Sequence, residues 1–305
     1  MKRFYIKTFI FIFPIFILSI SFEFALSNIP NDYSFKKAYL DQNSNQIETL
    51  ILGSSHAFYG LDPSYFNSKT FNAAYVSQTL DYDEKIFKKY AKHMSHLRTV
   101  IIPVSYFSLY EILSQGEESW RAKNYMTHCN ISSSGFFDKV EVLNQKLPVN
   151  IKKFVGFYVN KKSYLTCSEL GWGNLYKSEE SKDLDVTGKD AAKRHTKGIN
   201  TEIEKKMELI MDSLVSSCES KNINVLLITL PAYESYRENL NTEYLKMTID
   251  IVNDIAQRHK NCTFVNMLTD PFFFAEDFFD GDHLNDIGAK KLSLMVNRII
   301  EELNK

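Results

Sequence analysis

The chain has 305 residues, a formal net charge of −1, 44% apolar and 14% aromatic content. That length allows one large domain, with or without an insertion. The near-neutral balance leaves no electrostatic footprint for a nucleic-acid partner, and the apolar content is too high for a disordered chain.

The N-terminus departs from this average. Lys2, Arg3 and Lys7 precede Thr8–Phe22, an uncharged stretch crowded with Phe and Ile. At ~1.5 Å per residue, a helix from Phe4 to Leu26 reaches across the ~30 Å hydrocarbon core of a bilayer. Lys7 and Glu23 then lie near its two ends, where long side chains reach the headgroups, and Pro14 is tolerable in a membrane helix. Residues 1–26 read as a transmembrane anchor. The basic flank predicts a single-pass protein of the inner (cytoplasmic) membrane with residues 27–305 outside. A cleaved signal peptide gives the same export, though Ala25-Leu26-Ser27 is a poor cleavage site.

Residues 27–46 form a polar stalk with helical potential around Phe35–Leu40. Strands are predicted at Thr49–Leu52, Lys69–Ala73, Thr99–Val104, Asn224–Leu230 and Thr263–Met267. Helical periodicity marks Leu80–His96, Asn200–Ser217, Glu243–His259 and Leu284–Leu303. Strands alternating with helices predict an α/β fold with a parallel sheet and right-handed crossovers. Residues 111–200 interrupt the alternation. They hold both tryptophans (Trp120, Trp172), the Gly171-Trp172-Gly173-Asn174 turn and the charged run Lys177–Lys189. So long a connection is rarely structureless, and it reads as a helical or mixed insertion over the C-terminal edge of the sheet. The four cysteines (129, 167, 218, 262) include no C-x-x-C, which leaves zinc and other metals without a ligand pattern; no cofactor is called for. An exported chain permits a disulfide, with Cys129–Cys167 as the expected pair and Cys218 and Cys262 as buried apolar thiols.

Two segments carry chemistry. ETLILGSSHAFYG runs an apolar strand into Gly53 and the hydroxyls of Ser54 and Ser55; FFDGDHLNDIGAKKLS sets Asp280 three residues before His283. A serine nucleophile needs a base, and a histidine base needs an acceptor to fix its tautomer. In an open α/β sheet the ligand crevice lies beyond the carboxyl ends of the strands, where Ser54 and Ser55 fall. Read alone, the serines are caps of the following turn.

The pair of motifs resembles the SGNH (GDSL-type) hydrolase superfamily, which opens with G-D-S after its first strand and closes with D-x-x-H before its last helix. The resemblance covers roughly 46–110 and 220–303. It implies a flavodoxin-like three-layer sandwich with strand order 2-1-3-4-5. It also implies Ser55 as nucleophile, with Ser54 in place of the usual acidic residue, His283 as base and Asp280 as its orienter. Asp282 is expected to cap the last helix, and Asn285 to do similar structural work. His56 is expected to line or underlie the pocket, whereas His93, His96, His195 and His259 are expected in solvent.

For an oxyanion the Ser55 N–H is the default donor. FNAAYVSQ places Ser77 at the family's glycine position, with Gln78 beside it, and Ser105 and Tyr106 stand where the family has asparagine. That departure is similar to membrane-anchored branches acting on cell-envelope polymers, including the lipoteichoic-acid D-alanylation and alginate O-acetylation proteins. The resemblance thus implies an extracytoplasmic esterase or O-acyltransferase for an acylated glycan or envelope polymer. The alternative is a non-catalytic envelope protein of the same fold that binds glycan or a membrane-bound acyltransferase.

Overall fold

A computed structural model describes residues 1–116, 118–131 and 140–305. In chain order the main elements are α1 (Lys2–Ser27), α2 (Asp32–Asn43), β1 (Thr49–Ile51), α3 (Ser55–Gly60), β2 (Thr70–Asn72), α4 (Leu80–Tyr90), β3 (Thr99–Pro103), α5 (Ala122–Cys129), α6 (Leu147–Tyr158), α7 (Leu184–Gly198), α8 (Glu204–Glu219), β4 (Asn224–Thr229), α9 (Glu234–Arg237), α10 (Thr242–Arg258), β5 (Cys262–Asn266) and α11 (Asp286–Leu303). The chain divides into two compact units: residues 1–37 with 119–166, and residues 38–118 with 167–305.

The larger unit is a five-stranded parallel sheet in the order β2-β1-β3-β4-β5. Both the parallel sheet and the strand order match expectation. Successive strand side chains point to opposite faces. Ile51, Ile101, Leu226 and Ile228 meet Phe58, Leu61, Leu292, Val296 and Ile300 in one core, beneath α3 and α11. Residues of the other parity (Leu50, Val100, Ile102, Val225, Leu227) are equally buried. A sheet covered on both faces reads as unbroken apolar runs for this reason, and α8 packs against β4 and α4 on that second side.

The smaller unit joins the stalk region to part of the insertion. Glu23 of α1 accepts hydrogen bonds from the Glu141 and Val142 N–H groups, both at 2.8 Å. The Tyr158 hydroxyl donates to the Ala25 carbonyl at 2.9 Å, and the Phe22 and Phe154 rings lie 5.6 Å apart. Asp32 takes both the N–H and the hydroxyl of Thr166.

The buried Cys129 thiol donates to the Tyr33 carbonyl at 3.7 Å. Two expectations fail. Asp282 does not cap α11. Asn285 holds that place, its side-chain oxygen accepting from the Ile287 and Gly288 N–H groups, while its amide donates to the Glu276 and Phe278 carbonyls. Neither His195 nor His259 is solvated. His259 is clamped between Asp212 (3.0 Å) and Glu219 (2.9 Å), the carboxylates raising its pKa against the effect of burial. His93 and His96 are exposed, as expected, and Cys218 and Cys262 are buried with pKa values pushed up to about 12 by desolvation.

Because Asn285 serves both as cap and as tie to the preceding turn, Asn285→Ala is expected to destabilise the protein by about 0.5–2 kcal/mol or somewhat more. Urea unfolding of the variant beside the parent measures it.

Candidate active site

The site forms beyond the ends of β1, β3 and β4, where the Tyr233 N–H after β4 donates to the Gly281 carbonyl. After β1 the chain turns through Gly53 at φ +111°, a conformation costly to any residue with a Cβ. A Cβ there would also press on Ala57 and Pro103. The turn is held by Asp83 of α4, which accepts from the Gly53 N–H (2.8 Å) and the Gln78 side-chain amide (2.5 Å). Burial pushes the Asp83 carboxyl up to about 7, against the lowering effect of those bonds. Ser54 sits at the N-cap position of α3 without a capping bond from its side chain, so the capping reading of the serines has no support. Ser55 begins α3 with its hydroxyl turned into the site.

From the far end of the chain, the Asp280–His283 turn meets it. His283 Nε2 lies 2.8 Å from Ser55 Oγ, and His283 Nδ1 lies 2.9 Å from Asp280 Oδ1. That same Asp280 oxygen accepts the His283 N–H at 2.9 Å and the Asp282 N–H at 3.2 Å, so the backbone of the turn orients the carboxylate that orients the ring. An ionised carboxylate only accepts; His283 Nδ1 therefore carries hydrogen, and in the neutral ring Nε2 is left to accept from Ser55.

Asp282 takes part as well. Its Oδ1 lies 3.4 Å from His283 Nδ1, and its Oδ2 lies 3.3 Å from His56 Nε2. His56 Nδ1 lies 2.7 Å from Ser105 Oγ. Since Asp282 is ionised, His56 carries its hydrogen on Nε2 and accepts from the Ser105 hydroxyl through Nδ1. The His56 pKa is lowered, because burial outweighs the pull of Asp282. The Asp282 carboxyl stays well below the usual carboxylate range: burial raises it, and the His283 charge and hydrogen bond, with those of His56, more than reverse that. For His283 burial works toward the neutral ring, but Asp282 and Asp280 together win and push its pKa up to about 10.

The designated donors are distributed as follows. Ser77 has φ +61°, its hydroxyl donates to Glu118, and its N–H, like that of Ser55, makes no hydrogen bond among the described residues. Gln78 is buried; its N–H goes to the Tyr75 carbonyl and its amide to Asp83. The Ser105 hydroxyl is committed to His56.

Part of the insertion closes over the site. The Trp172 indole N–H donates to the Tyr59 carbonyl at 2.7 Å, and Tyr176 stacks between Tyr59 (3.7 Å) and Phe279 (3.9 Å), edge-on to His283 at 5.3 Å. Helix α7 packs on the Asp280–His283 turn. A Cβ on Gly281 would overlap Gly188 Cα, and one on Gly188 would overlap Ser235. Thr187 Oγ1 accepts the Gly281 N–H at 3.0 Å. This contact delivers His195, whose Nδ1 meets the Tyr236 hydroxyl at 2.8 Å and whose Nε2 lies 4.0 Å from Asp282, with Arg194 at 3.9 Å from the same oxygen. Burial drives the His195 pKa down to about 3. Sequence reasoning set His195 in solvent. The signal against that was Gly188, Ala191, Ala192 and His195 recurring at i, i+3, i+4 and i+7, one face of a helix.

Two outcomes test this geometry. A histidine whose folded pKa exceeds its unfolded value near 6.5 contributes stability in full below that value and loses it as pH rises toward about 10. An NMR titration is expected to find His283 protonated at neutral pH, and Asp282→Asn to lower its pKa. Separately, Gly188→Leu is expected to cost about 1–3 kcal/mol by overpacking against Ser235 and to separate α7 from α9, read as accelerated hydrogen exchange in 184–198.

Comparison with known proteins gives one kind of result. No family model matches the sequence, and no curated protein matches it. Solved structures do. A protein provisionally described as a platelet activating factor from Streptococcus pneumonia aligns with TM-score 0.46 at 10% identity, over 96% of this chain and 98% of that one. A GDSL-like lipase from Bacteroides thetaiotaomicron aligns with TM-score 0.42 at 13% identity, over 88% and 98%. A variant of an acetyl-xylooligosaccharide esterase from Geobacillus aligns with TM-score 0.42 at 12% identity, over 86% and 95%. At these scores the likenesses describe overall chain trace, and no residue role rests on them. On its own strand order, and on the meeting of its G-S-S and D-x-x-H motifs at the sheet's C-terminal edge, the chain resembles the SGNH (GDSL-type) hydrolases.

Proposed function

We propose that this chain is a membrane-anchored, extracytoplasmic serine esterase or O-acyltransferase acting on an acylated cell-envelope glycan or polymer. One observation carries the enzymatic part: Ser55, His283 and Asp280, drawn from opposite ends of the chain, meet in hydrogen-bonded series at 2.8 and 2.9 Å. In this reading Ser55 Oγ attacks the ester carbonyl and His283 Nε2 takes its proton. The imidazolium so formed is stabilised by two carboxylates, and it returns the proton to the leaving alcohol. Deacylation by water gives hydrolysis; deacylation by a sugar hydroxyl gives transfer. The Ser55 and Ser77 N–H groups are the candidate oxyanion donors. Ser105, donating its hydroxyl to His56 Nδ1, acts on the site by orienting the ring whose tautomer Asp282 sets, and Gln78 by holding Asp83 at the Gly53 turn.

The anchoring part rests on α1, whose most apolar window has a mean hydropathy of 2.3 and is only 6% buried, and on the basic residues before it. Bonds from Glu23 and Ala25 into 141–158 make the end of α1 part of the folded smaller unit, which favours retention over cleavage. Membrane, acylated polymer and a membrane-bound acyltransferase are the partners this reading calls for, and it calls for no cofactor.

A second reading has its own support. A His283 whose pKa is pushed up by two carboxylates is a poorer resting base, and the Ser105 hydroxyl is engaged by His56; both suit a protein that binds an acylated glycan without turning it over. Fluorophosphonate labelling separates the two. Labelling at Ser55, abolished in Ser55→Ala with an unchanged melting temperature and strongly reduced in a folded His283→Ala, is the expected outcome, together with turnover of a small aryl acetate that rises toward alkaline pH as His283 loses its proton. Loss of either residue is expected to cost about as much as loss of both, since they act as a unit. Normal turnover by a folded Ser55→Ala rules out the covalent mechanism.

A further inference from the structure

The smaller unit exposes an apolar surface that its own fold does not use. Along α6, Leu147, Ile151, Val155 and, at its C-cap, Val159 recur at i, i+4, i+8 and i+12, which is one stripe of a helix. All four are exposed, Leu147 at 57% and Val159 at 65%. The opposite side of the same helix is used: Asn150 and Gly156 are buried and Lys153 and Phe157 half-buried, while Phe154, at the edge between the two sides, faces Phe22 of α1. The stripe is therefore the outer face of a helix whose inner face is already packed. Lysines flank it, with Lys146 before the helix, Lys152 beside the stripe and Lys161 and Lys162 just after, all exposed.

The place of α6 along α1 is fixed by two contacts, Phe154 with Phe22 and Tyr158 with Ala25, and the segment leading into α6 is held by Glu23; all three partners lie in the last turns of α1. At ~1.5 Å per residue, Phe4–Phe22 already fills most of a ~30 Å hydrocarbon core, so the last turns of α1 fall at the membrane–water boundary. A helix tied there, apolar on its outer face and rimmed with lysine, has the composition of one that lies in the interface plane.

We infer that α6 is an interfacial helix, seated through Leu147, Ile151, Val155 and Val159 in the leaflet from which α1 emerges, with Lys146, Lys152, Lys161 and Lys162 on its phosphate headgroups. The inference rests on the proposed anchoring by α1 and is independent of the catalytic reading. Its consequence is mechanical: the smaller unit is held to the membrane at two places, by a spanning helix and by a flat one, and so cannot swing freely about the end of α1.

Site-specific photocrosslinking in the full chain tests it. p-Benzoylphenylalanine replaces Ile151, Phe13 of α1 or, as an exposed apolar residue of the larger unit, Leu209 of α8. Each variant is reconstituted in phosphatidylglycerol–phosphatidylcholine nanodiscs, or irradiated in its native membrane, and its adducts are identified by mass spectrometry. Expected are lipid adducts at Ile151 as abundant as at Phe13, and a loss of that yield at Leu209. Lipid adducts at Phe13 but not at Ile151 overturn the inference while leaving the anchor intact. Their absence at both positions removes the anchor and the inference together, and equal yields at all three show no preference for α6. A protein adduct in place of lipid at Ile151 in the native membrane assigns the stripe to a membrane protein partner and also overturns it.

Discussion

The arrangement of the site depends on one electrostatic constraint: two carboxylates, Asp280 and Asp282, are buried against a single imidazole. Burying one ion without a partner is costly, and here each charge is met. Asp280 takes two backbone N–H groups of its own turn as well as the ring, and Asp282 is shared between His283 and His56. The turn therefore has little freedom. Asn285 fixes its exit, α7 covers Gly281, and the His283 ring is left with one open direction, toward Ser55.

That constraint also explains why part of the insertion behaves as site rather than ornament. The Gly281–Gly188 approach admits no Cβ on Gly281, so α7 lies close enough for His195 and Arg194 to reach the edge of Asp282. Tyr176 covers His283 between Tyr59 and Phe279. Water is kept from the imidazole by these rings, and a low local dielectric strengthens each of the charge interactions beneath them. On the other side of the site, buried Asp83 does comparable work for Gly53, fixing the turn that presents Ser55.

Two carboxylates bear on the chemistry in opposite ways. In the proposed mechanism they stabilise the imidazolium formed when Ser55 gives up its proton, and they also raise the pKa of the resting ring. The same geometry thus suits a serine enzyme with an alkaline rise or a ligand-binding protein with a fixed cation in its crevice. In the smaller unit a different economy holds. Glu23, inside an otherwise apolar helix, is satisfied by the Glu141 and Val142 N–H groups, which ties the end of α1 to the segment that leads into α6.

The sheet was legible because its residues report their own environment: unbroken runs such as TVIIPV and NVLLITL are required of parallel strands covered on both faces. Ser55, Asp280 and His283 were legible as a set because each motif keeps its members close in sequence, with the turn after a strand and the start of the last helix as landmarks. Asp282, His56, Ser105 and His195 were not, since their parts depend on which side chains meet across gaps of up to 226 residues. Adjacent Asp282 looked like a cap for α11 until Asn285 was seen to occupy that position, and His195 looked solvated because charged neighbours flank it along the chain. Local pattern by itself determined the five strands and the helices that alternate with them, and set a serine just after the first strand and an Asp–His pair just before the last helix. Only the tertiary structure decided the partners of the buried charges, because a carboxylate's role is set by the groups that surround it in space and not by those beside it in sequence.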